Sequence, residues 1–264
     1  MPAGRLRLPR KRKLPPTPAP RRGLNKTEKA QTKQIARQVV NRRVETKQRA
    51  WQINNAYTLY HNSQALLFGT TANGGLLELQ QQGATTGTHL TSRPGPVEAT
   101  PHNNPGYLRE GNKVRVSSVN LKLNVNTAID RQGTKLRCIM FWYPTGHSVA
   151  WSDLVNEGSM TGNYNQLLVP TNRNSVCKIF MDKIYTLGSA GAGGNGNYQT
   201  TTLINIRKSF KGGKVITYSP GVNDAVPDKM NIGFALVAFN NNQALTSDQV
   251  AFMEYSGNIY FKDA

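Results

Sequence analysis

Hydrophobic and polar residues alternate along residues 113–127, which read KVRVSSVNLKLNVNT. This period of two is the pattern of a β-strand with one buried face. The apolar positions are Val114 and Val116, followed by Val119, Leu121, Leu123 and Val125. Because the phase changes between the two groups, we predict a β-bulge at Ser117–Ser118.

Further runs rich in β-branched and aromatic residues predict more strands. They are residues 54–60, 75–80, 135–144, 175–187, 201–210, 214–219, 231–240 and 251–263. Loops rich in Gly, Asn and Pro separate them, and one short helix is predicted at 148–158. About eight strands of uneven spacing with hardly any helix predict an all-β fold, either a sandwich or an antiparallel jelly roll.

Residues 25–50 have a different pattern, because they contain no Pro or Gly and their apolar residues fall at helical spacing. These residues are Ile35, Ala36, Val39, Val40 and Val44. Asn25 and Glu28 have the spacing of a capping box. We predict a basic amphipathic helix that docks on the body, docks on another copy, or becomes ordered only with nucleic acid. A membrane-surface helix is less favoured, because the apolar stripe is narrow and lacks aromatic anchors.

Positive charge is concentrated at the N-terminus of the 264-residue chain. Residues 1–50 contain sixteen Lys and Arg against two acidic residues, a net charge of +14, whereas the remaining residues carry +5. Residues 1–24 have few large apolar side chains, and the prolines at 9, 15, 16, 18 and 20 exclude a continuous helix. We therefore predict a disordered basic arm at 1–24, a basic helix at 25–50 and a β-body at 51–264.

A basic arm on a nearly neutral body favours a polyanionic partner, since each phosphate contact releases condensed counterions. The predicted nucleic-acid-binding residues are Arg5, Arg7, Arg10, Lys11, Arg12, Lys13, Arg21, Arg22, Lys26, Lys29, Lys33, Arg37, Arg42, Arg43, Lys47, Arg49 and Trp51. On the body, Lys113, Arg115, Lys122, Arg207, Lys208 and Lys211 are further candidates, the alternative being a solvated strand edge. Trp51 either stacks on a base or only anchors the chain to the core. The alternative interpretation of the arm is a solvated tail that has no binding partner.

The stretch PRKRKLP (9–15), with Arg10, Lys11, Arg12 and Lys13, also has the composition of a nuclear import signal. No apolar segment follows these charges, so a secretory signal is not expected. No run of about 18 apolar residues occurs, so membrane insertion is not expected either.

Catalytic and metal-binding patterns are sparse. Cys138 and Cys177 both fall in predicted strands, where a cysteine is usually a small buried residue. The four histidines show no zinc-ligand spacing, and no close carboxylate pair is available for acid–base work. GAGGNG (191–196) lacks the Gly-Lys-Ser/Thr and βαβ context of a phosphate loop. We predict no enzyme activity, no cofactor and no dedicated metal site.

Several stretches carry a family resemblance that covers nearly the whole chain in order. In LREGNKVRVSSVNLKLNV (108–125), Arg109, Gly111 and Val114 have the order R-x-G-x-x-(I/V) that opens the strand conventionally lettered C. The other stretches are VNRRVETKQ (40–48), LRCIMFWYP (136–144), FMDKIYTLG (180–188) and the closing segment 231–264, which contains Phe261-Lys262-Asp263. Together they resemble the single-jelly-roll capsid proteins of small circular single-stranded DNA viruses that encode a rolling-circle replication initiator, the circovirus-like capsids.

The resemblance implies an eight-stranded viral jelly roll, of which about 60 copies form an icosahedral shell. The basic arms would point inward and bind the single-stranded DNA genome. Phosphate contacts of this kind carry no sequence information. The implied locations are the virion and, during assembly, the host nucleus, with a nuclear import receptor and a cell-surface receptor as further partners.

Two other classes of protein fit parts of the sequence. A coat protein of a small single-stranded RNA or satellite virus would have the same fold with a different nucleic acid. A cellular basic nucleic-acid-binding protein is less favoured, because the large neutral body has no RRM, KH or zinc signature.

Overall fold

The computed structural model describes most of the chain from Asn25 onward. The described residues are 25–43, 46–52, 57–70, 74–79, 108–127, 131, 133–156, 165–187, 200–220, 225–241 and 245–264. The chain divides into two compact units, residues 1–44 and residues 45–264. Residues 1–24, predicted as a disordered arm, lie outside the described part.

The first unit contains helix α1, Lys26–Arg43. The predicted capping box begins it, since the Asn25 amide donates to Glu28 Oε2 and the Glu28 amide donates to Asn25 Oδ1, both at 2.8 Å. These reciprocal bonds satisfy two amide donors that the first turn leaves unpaired. On the predicted apolar stripe, Ile35 is 60 % exposed and Val39 is 47 % exposed.

The predicted helix at 25–50 was too long. Residues Lys47–Gln52 form strand β1, which pairs antiparallel with a later strand. Local pattern did not reveal this end, because Lys, Gln and Arg are good helix formers. Pairing with a distant strand outweighs that preference, which is worth only tenths of a kcal/mol per residue.

The second unit is all-β, with two antiparallel sheets. The five-stranded sheet contains β1 (Lys47–Gln52), β2 (Tyr57–Tyr60), β4 (Lys113–Thr127), β7 (Thr200–Thr217) and β9 (Gln249–Asp263). The four-stranded sheet contains β3 (Gln64–Phe68), β5 (Lys135–Pro144), β6 (Lys178–Thr186) and β8 (Met230–Phe239). The short helix α2 is Trp151–Leu154, the only part of the predicted helix at 148–158 that is described as helical.

Although nine strands are described, they fill eight positions across the two sheets. Strand β1 pairs with residues 256–261 of β9, and β2 pairs with residues 249–253 of the same strand. Strand β4 pairs with β9 over residues 252–263. Strands β1 and β2 therefore lie end to end along the other edge of β9 and make one position.

Counting that shared position as one, the five-stranded sheet has the order 1-8-3-6 and the four-stranded sheet has the order 2-7-4-5. The first position along the chain thus pairs with the last, the second with the seventh, the third with the sixth and the fourth with the fifth. Consecutive positions mostly alternate between the two sheets, so the chain wraps around a shared core.

The alternating pattern of β4 is confirmed. Its six predicted apolar side chains are fully buried between the sheets. The predicted bulge is confirmed as well, because the register shifts between Val116 and Ser118 against both neighbouring strands. Each side of the bulge keeps its valines and leucines on the core side, which is what the phase change required.

The predicted strands 201–210 and 214–219 are one strand, β7. Its pairing with β4 passes from Ser209 to Lys214, so that residues 210–213 have no partner there. Gly212 and Gly213 both have φ near +75°, a backbone region that other residues rarely adopt. A Cβ on Gly213 would lie 2.3 Å from Arg115 Cγ, so the bulge requires glycine there.

The predicted strand at 75–80 was wrong. Leu76 and Leu77 lie in a turn, and the Leu77 amide donates to Asn231 Oδ1 on β8 at 2.9 Å. Leu77 and Leu79 are nevertheless fully buried. An apolar run predicted burial correctly, but it did not distinguish a strand from a packed turn.

A second apolar cluster lies on the other face of the four-stranded sheet. Ile139 and Phe141 of β5 and Val237 of β8 pack there against residues of the segment between β5 and β6, including Trp151 and Leu154. With both faces covered, β5 and β8 have nearly continuous apolar sequences instead of alternation.

Candidate nucleic-acid interface

The predicted cations of the first unit belong either to the arm at residues 1–24 or to helix α1. Arg5 to Arg22 lie outside the described residues, as does the predicted import signal. Lys26, Lys29 and Lys33 are exposed on α1. Arg37, Arg42 and Arg43 belong to the same helix, but their side chains are not described. The exposed lysines of α1 are therefore available to a polyanion.

Lys47, which was predicted to bind nucleic acid, is buried and paired with two carboxylates in the structure. Its side chain is only 4 % exposed, and Nζ lies 2.6 Å from Glu110 Oε1 and 2.8 Å from Asp263 Oδ2. Nζ also donates to the carbonyl of Leu108 at 3.0 Å. Burial lowers the pKa of Lys47, but hydrogen bonds and charge from Asp263 and Glu110 outweigh it, so that the pKa is raised. The positive charge of the Lys47 ammonium is therefore already compensated by two carboxylates of the same chain.

Arg49 was also predicted to bind nucleic acid, but it is 6 % exposed. It pairs across the sheet with the buried Ile259, so its side chain starts on the core side of β1. A buried arginine on that side does not meet a phosphate at the surface. Trp51 lies in the same strand as Arg49, and its backbone pairs with Gly257 of β9. Its side chain lies outside the described part.

Arg109 of the R-x-G pattern is fully buried. Its guanidinium donates to the carbonyls of Leu79 at 3.0 Å and Gly111 at 2.8 Å, and lies 4.4 Å from the ring centre of Tyr218. Burial raises the pKa of Tyr218, although the charge of Arg109 acts in the opposite direction. The Tyr218 hydroxyl stays protonated and donates to the carbonyl of Leu77 at 2.9 Å. This arginine organises loops at one end of the body.

A group of cations lies on the outer face of the five-stranded sheet. We call it the basic face, and it consists of Lys113, Arg115, Lys122, Arg207 and Lys262. Its members alternate with buried residues on β4, β7 and β9, so they project away from the core. Lys113, Lys122 and Arg207 are exposed, and Arg115 and Lys262 are half-buried.

The strand register brings these cations together across the sheet. Arg115 of β4 lies directly opposite Lys262 of β9, and Lys122 lies opposite Asn205 of β7. Arg207 lies opposite Asn120, whose Oδ1 is the one buried side-chain polar atom without a partner among the described residues. Glu254 is the acidic residue of this face, and Asn124 lies 3.4 Å from it.

Four of the six cations predicted on the body belong to the basic face. Lys208 lies opposite the buried Val119, so its side chain starts on the core side of β7, and Lys211 lies in the glycine bulge. Lys262 was missed, because it was assigned only to a terminal pattern. Its place opposite Arg115 depends on the pairing of β4 with β9, which are far apart in the sequence.

Another cluster of reactive groups lies at the opposite sheet. His147, Asp153 and Cys177 each offer one ligand atom, and the three atoms lie within 4.8 Å of one another. Both cysteines are buried, as predicted, and neither forms a disulfide. Burial raises the pKa of Cys138 well above its usual value and raises that of Cys177 to about 11. Sequence spacing gave no signal for this cluster, since His147 and Asp153 do not form a known ligand motif and Cys177 lies 24 residues after Asp153.

The described residues give no sign of a membrane-spanning segment, since neither α1 nor α2 has the length and apolar character to cross a bilayer. Comparison of the chain with models of known protein families finds no match, and comparison with curated proteins finds no significant relative.

Proposed function

We propose that the chain is the capsid protein of a small single-stranded DNA virus, which assembles into an icosahedral shell of about 60 copies and packages its genome through basic segments. The order of the strands carries this proposal. Pairing of the first position with the last and the second with the seventh is the arrangement expected when a long antiparallel ribbon is rolled into an eight-stranded jelly roll.

In this proposal β1 and β2 together count as the first strand, β3 as the second and β4 as the third. The resemblance assigned the segment after Arg109 to strand C, which is the second of eight because jelly-roll strands are lettered from B to I. In this proposal the segment forms the third strand, so that assignment was one strand too early. The shift arises because Gln64–Phe68, which forms β3, was not predicted as a strand.

The charge distribution supports nucleic acid as the packaged partner. Residues 1–50 carry a net charge of +14, and the basic face adds five cations against Glu254. Both basic regions attract phosphate without reading sequence, which suits packaging of a whole genome. Lys47 and Arg49 are counted in the +14 but are buried, so we do not assign phosphate contacts to them or to the buried Arg109.

Exposed apolar side chains on the body support self-assembly. Several large hydrophobic residues are about half exposed or more in the single chain, and Leu168 reaches 77 %. The others are Val176, Ile184, Leu203, Val215 and Leu245. Contacts between copies would remove this area from water, at about 25 cal/mol per Å².

Electron microscopy of the purified full chain tests the proposal, together with the ratio of absorbance at 260 and 280 nm on the same fraction. Uniform shells with a high ratio that DNase lowers and RNase does not would support it. A homogeneous monomer that stays monomeric with added single-stranded DNA would overturn it. Shells whose nucleic acid only RNase removes would support an RNA-virus coat protein instead.

A variant that lacks residues 1–24 separates the two parts of the proposal. The body keeps both sheets, so we expect the variant to fold and to package much less nucleic acid. Normal packaging by this variant would contradict the role of the arm.

A further inference from the structure

His147, Asp153 and Cys177 come together at the segment that covers the four-stranded sheet. His147 follows the end of β5, Asp153 lies in α2, and Cys177 immediately precedes β6. The imidazole Nε2 of His147 lies 3.0 Å from Asp153 Oδ2. One ligand atom of each of these residues and Cys177 Sγ all lie within 4.8 Å of one another. The two ends of one long connection therefore meet at three potential ligand atoms.

We propose that His147, Asp153 and Cys177 form a site for Zn²⁺ or a similar divalent ion, with a fourth position open to solvent. An imidazole nitrogen, a carboxylate oxygen and a thiolate sulfur are the donors that zinc takes in proteins. A hard ion such as Ca²⁺ or Mg²⁺ would not use the sulfur. This inference does not depend on the proposed capsid function.

The spacing of the ligand atoms suits such an ion. Zinc bonds of about 2.0–2.3 Å at tetrahedral angles hold ligand atoms roughly 3.3–3.8 Å apart. The His147–Asp153 separation is shorter than this and the upper limit of the cluster is longer, so separations need to change by at most about 1.3 Å to form the site.

Binding of the ion requires two proton movements, one from Cys177 and one on the His147 ring. The Cys177 thiol releases its proton to solvent and the sulfur donates an electron pair to the ion. Where the neutral ring donates from Nε2 to Asp153, its proton moves to Nδ1, which leaves the Nε2 lone pair for the metal. No bond is otherwise made or broken, and neither an oxidant nor a reductant is needed.

The surroundings hold the ligands in place and leave the site accessible. The amide of Ala150 donates to Asp153 Oδ2 at 2.9 Å, and the Cys177 amide donates to Ser175 Oγ at 3.1 Å. Cys177 is 4 % exposed and forms the floor, whereas the side chains of His147 and Asp153 are 36 % and 26 % exposed. An ion could enter from solvent and reach the buried sulfur last.

A bound ion would join the start and the end of the covering segment. Val149, Trp151 and Leu154, which pack in the second apolar cluster, lie within this segment. We therefore expect the ion to stabilise that cover. The alternative is that Asp153 only caps α2 and His147 only pairs with it.

Titration of the full chain with Co²⁺ after removal of metal by a chelator distinguishes these possibilities. A thiolate ligand gives Co²⁺ a charge-transfer band in the near ultraviolet, which carboxylate capping cannot produce. We expect one Co²⁺ per chain, displaced by Zn²⁺. Cys177→Ser should abolish the band, and His147→Gln should weaken Co²⁺ binding at least tenfold.

Cys138→Ser is the matched control, because Cys138 is also buried but lies in the core between the sheets. This control should keep the band. Asp153→Asn keeps a capping oxygen and removes the charge, so it should weaken binding without unfolding the chain. It also keeps the proposal testable if Cys177→Ser fails to fold. Absence of the band in the unaltered chain, its persistence in Cys177→Ser, or unchanged binding in both His147→Gln and Asp153→Asn would overturn the proposal.

Discussion

Lys47 Nζ lies 2.8 Å from Asp263 Oδ2, so an ion pair joins the first strand of the body to the last. Both residues lie at one end of the β1–β9 pair, where Lys47 is directly opposite Phe261. The second acceptor, Glu110, comes from the loop before β4. One ammonium thus connects three segments that are distant in the sequence.

Lys47→Met should lower the free energy of unfolding by about 2 kcal/mol, because it leaves two carboxylates without their cation. The loss stays below that of a fully buried pair, since Glu110 is 59 % exposed. Equilibrium urea unfolding of the disassembled chain measures it. Lys113→Met, at an exposed lysine of β4 in the same sheet, should change stability by less than about 0.5 kcal/mol. Equal losses in the two variants would contradict this account of the ion pair.

Arg137→Met should destabilise the body by about 3 kcal/mol or more. The Arg137 guanidinium is buried and makes two bonds to Asp182, at 2.9 and 2.6 Å. It also donates to the carbonyls of Gln166 and Val169, at 2.8 and 2.7 Å. We expect faster amide exchange in residues 165–169, since this arginine holds that turn on the sheet.

Asp182→Asn is the control for that prediction. It keeps a hydrogen-bond acceptor and leaves the two carbonyl bonds of Arg137 intact, so the loss should be nearer 1 kcal/mol. A larger loss in Asp182→Asn than in Arg137→Met would mean that the carbonyl bonds contribute little.

His61 should make the folded body less stable as the pH falls below about 6.5. Burial lowers the pKa of His61. Its Nδ1 accepts a hydrogen bond from the backbone amide of Asn240, with 3.2 Å between the two nitrogens. The unfolded chain then binds a proton at a higher pH than the folded chain, so acid favours unfolding. His61→Gln should unfold with a smaller pH dependence between pH 7 and 5, measured by urea midpoints. An unchanged pH dependence would show that other groups cause it.

Replacing Lys113, Lys122 and Arg207 with glutamine should weaken binding of single-stranded DNA and reduce its salt dependence. Loss of three phosphate contacts lowers the slope of log K against log salt by up to about 2. Fluorescence anisotropy with an oligonucleotide, in the variant lacking residues 1–24, measures this without the arm. Glutamine at Lys178, Lys183 and Lys229, which are exposed outside the basic face, is the charge-matched control. The same reduction in both triple variants would remove the basic face as a specific surface.

Replacing Arg10, Lys11, Arg12 and Lys13 with alanine should reduce nuclear accumulation of a fluorescent fusion of the full chain. This segment is the densest basic cluster of the arm, so its loss should affect import more than loss of the Arg21–Arg22 pair. The double alanine variant at Arg21 and Arg22 is therefore the comparison. Equal nuclear fractions for all three proteins would contradict the import signal.

Local sequence was sufficient wherever a short-range interaction decides the structure. The capping box at Asn25 and Glu28 needs only three residues of spacing, and the bulge after Val116 follows from a change of phase within one strand. The concentration of charge at the N-terminus is a property of composition alone. These features depend on neighbours along the chain, so a single sequence contains them completely.

Tertiary structure decided which cations are buried and where strands replace helix. Lys47 and Arg49 belong to a basic segment with helical propensity, yet pairing with β9 makes that segment a strand and places both side chains inside. The same kind of long-range contact puts Lys262 beside Arg115 and brings Cys177 to His147. The sequence by itself determined the strand periodicity, the helix start and the charge of the chain. Partners distant along the chain are chosen by the packing of the whole core, and no local pattern records that choice.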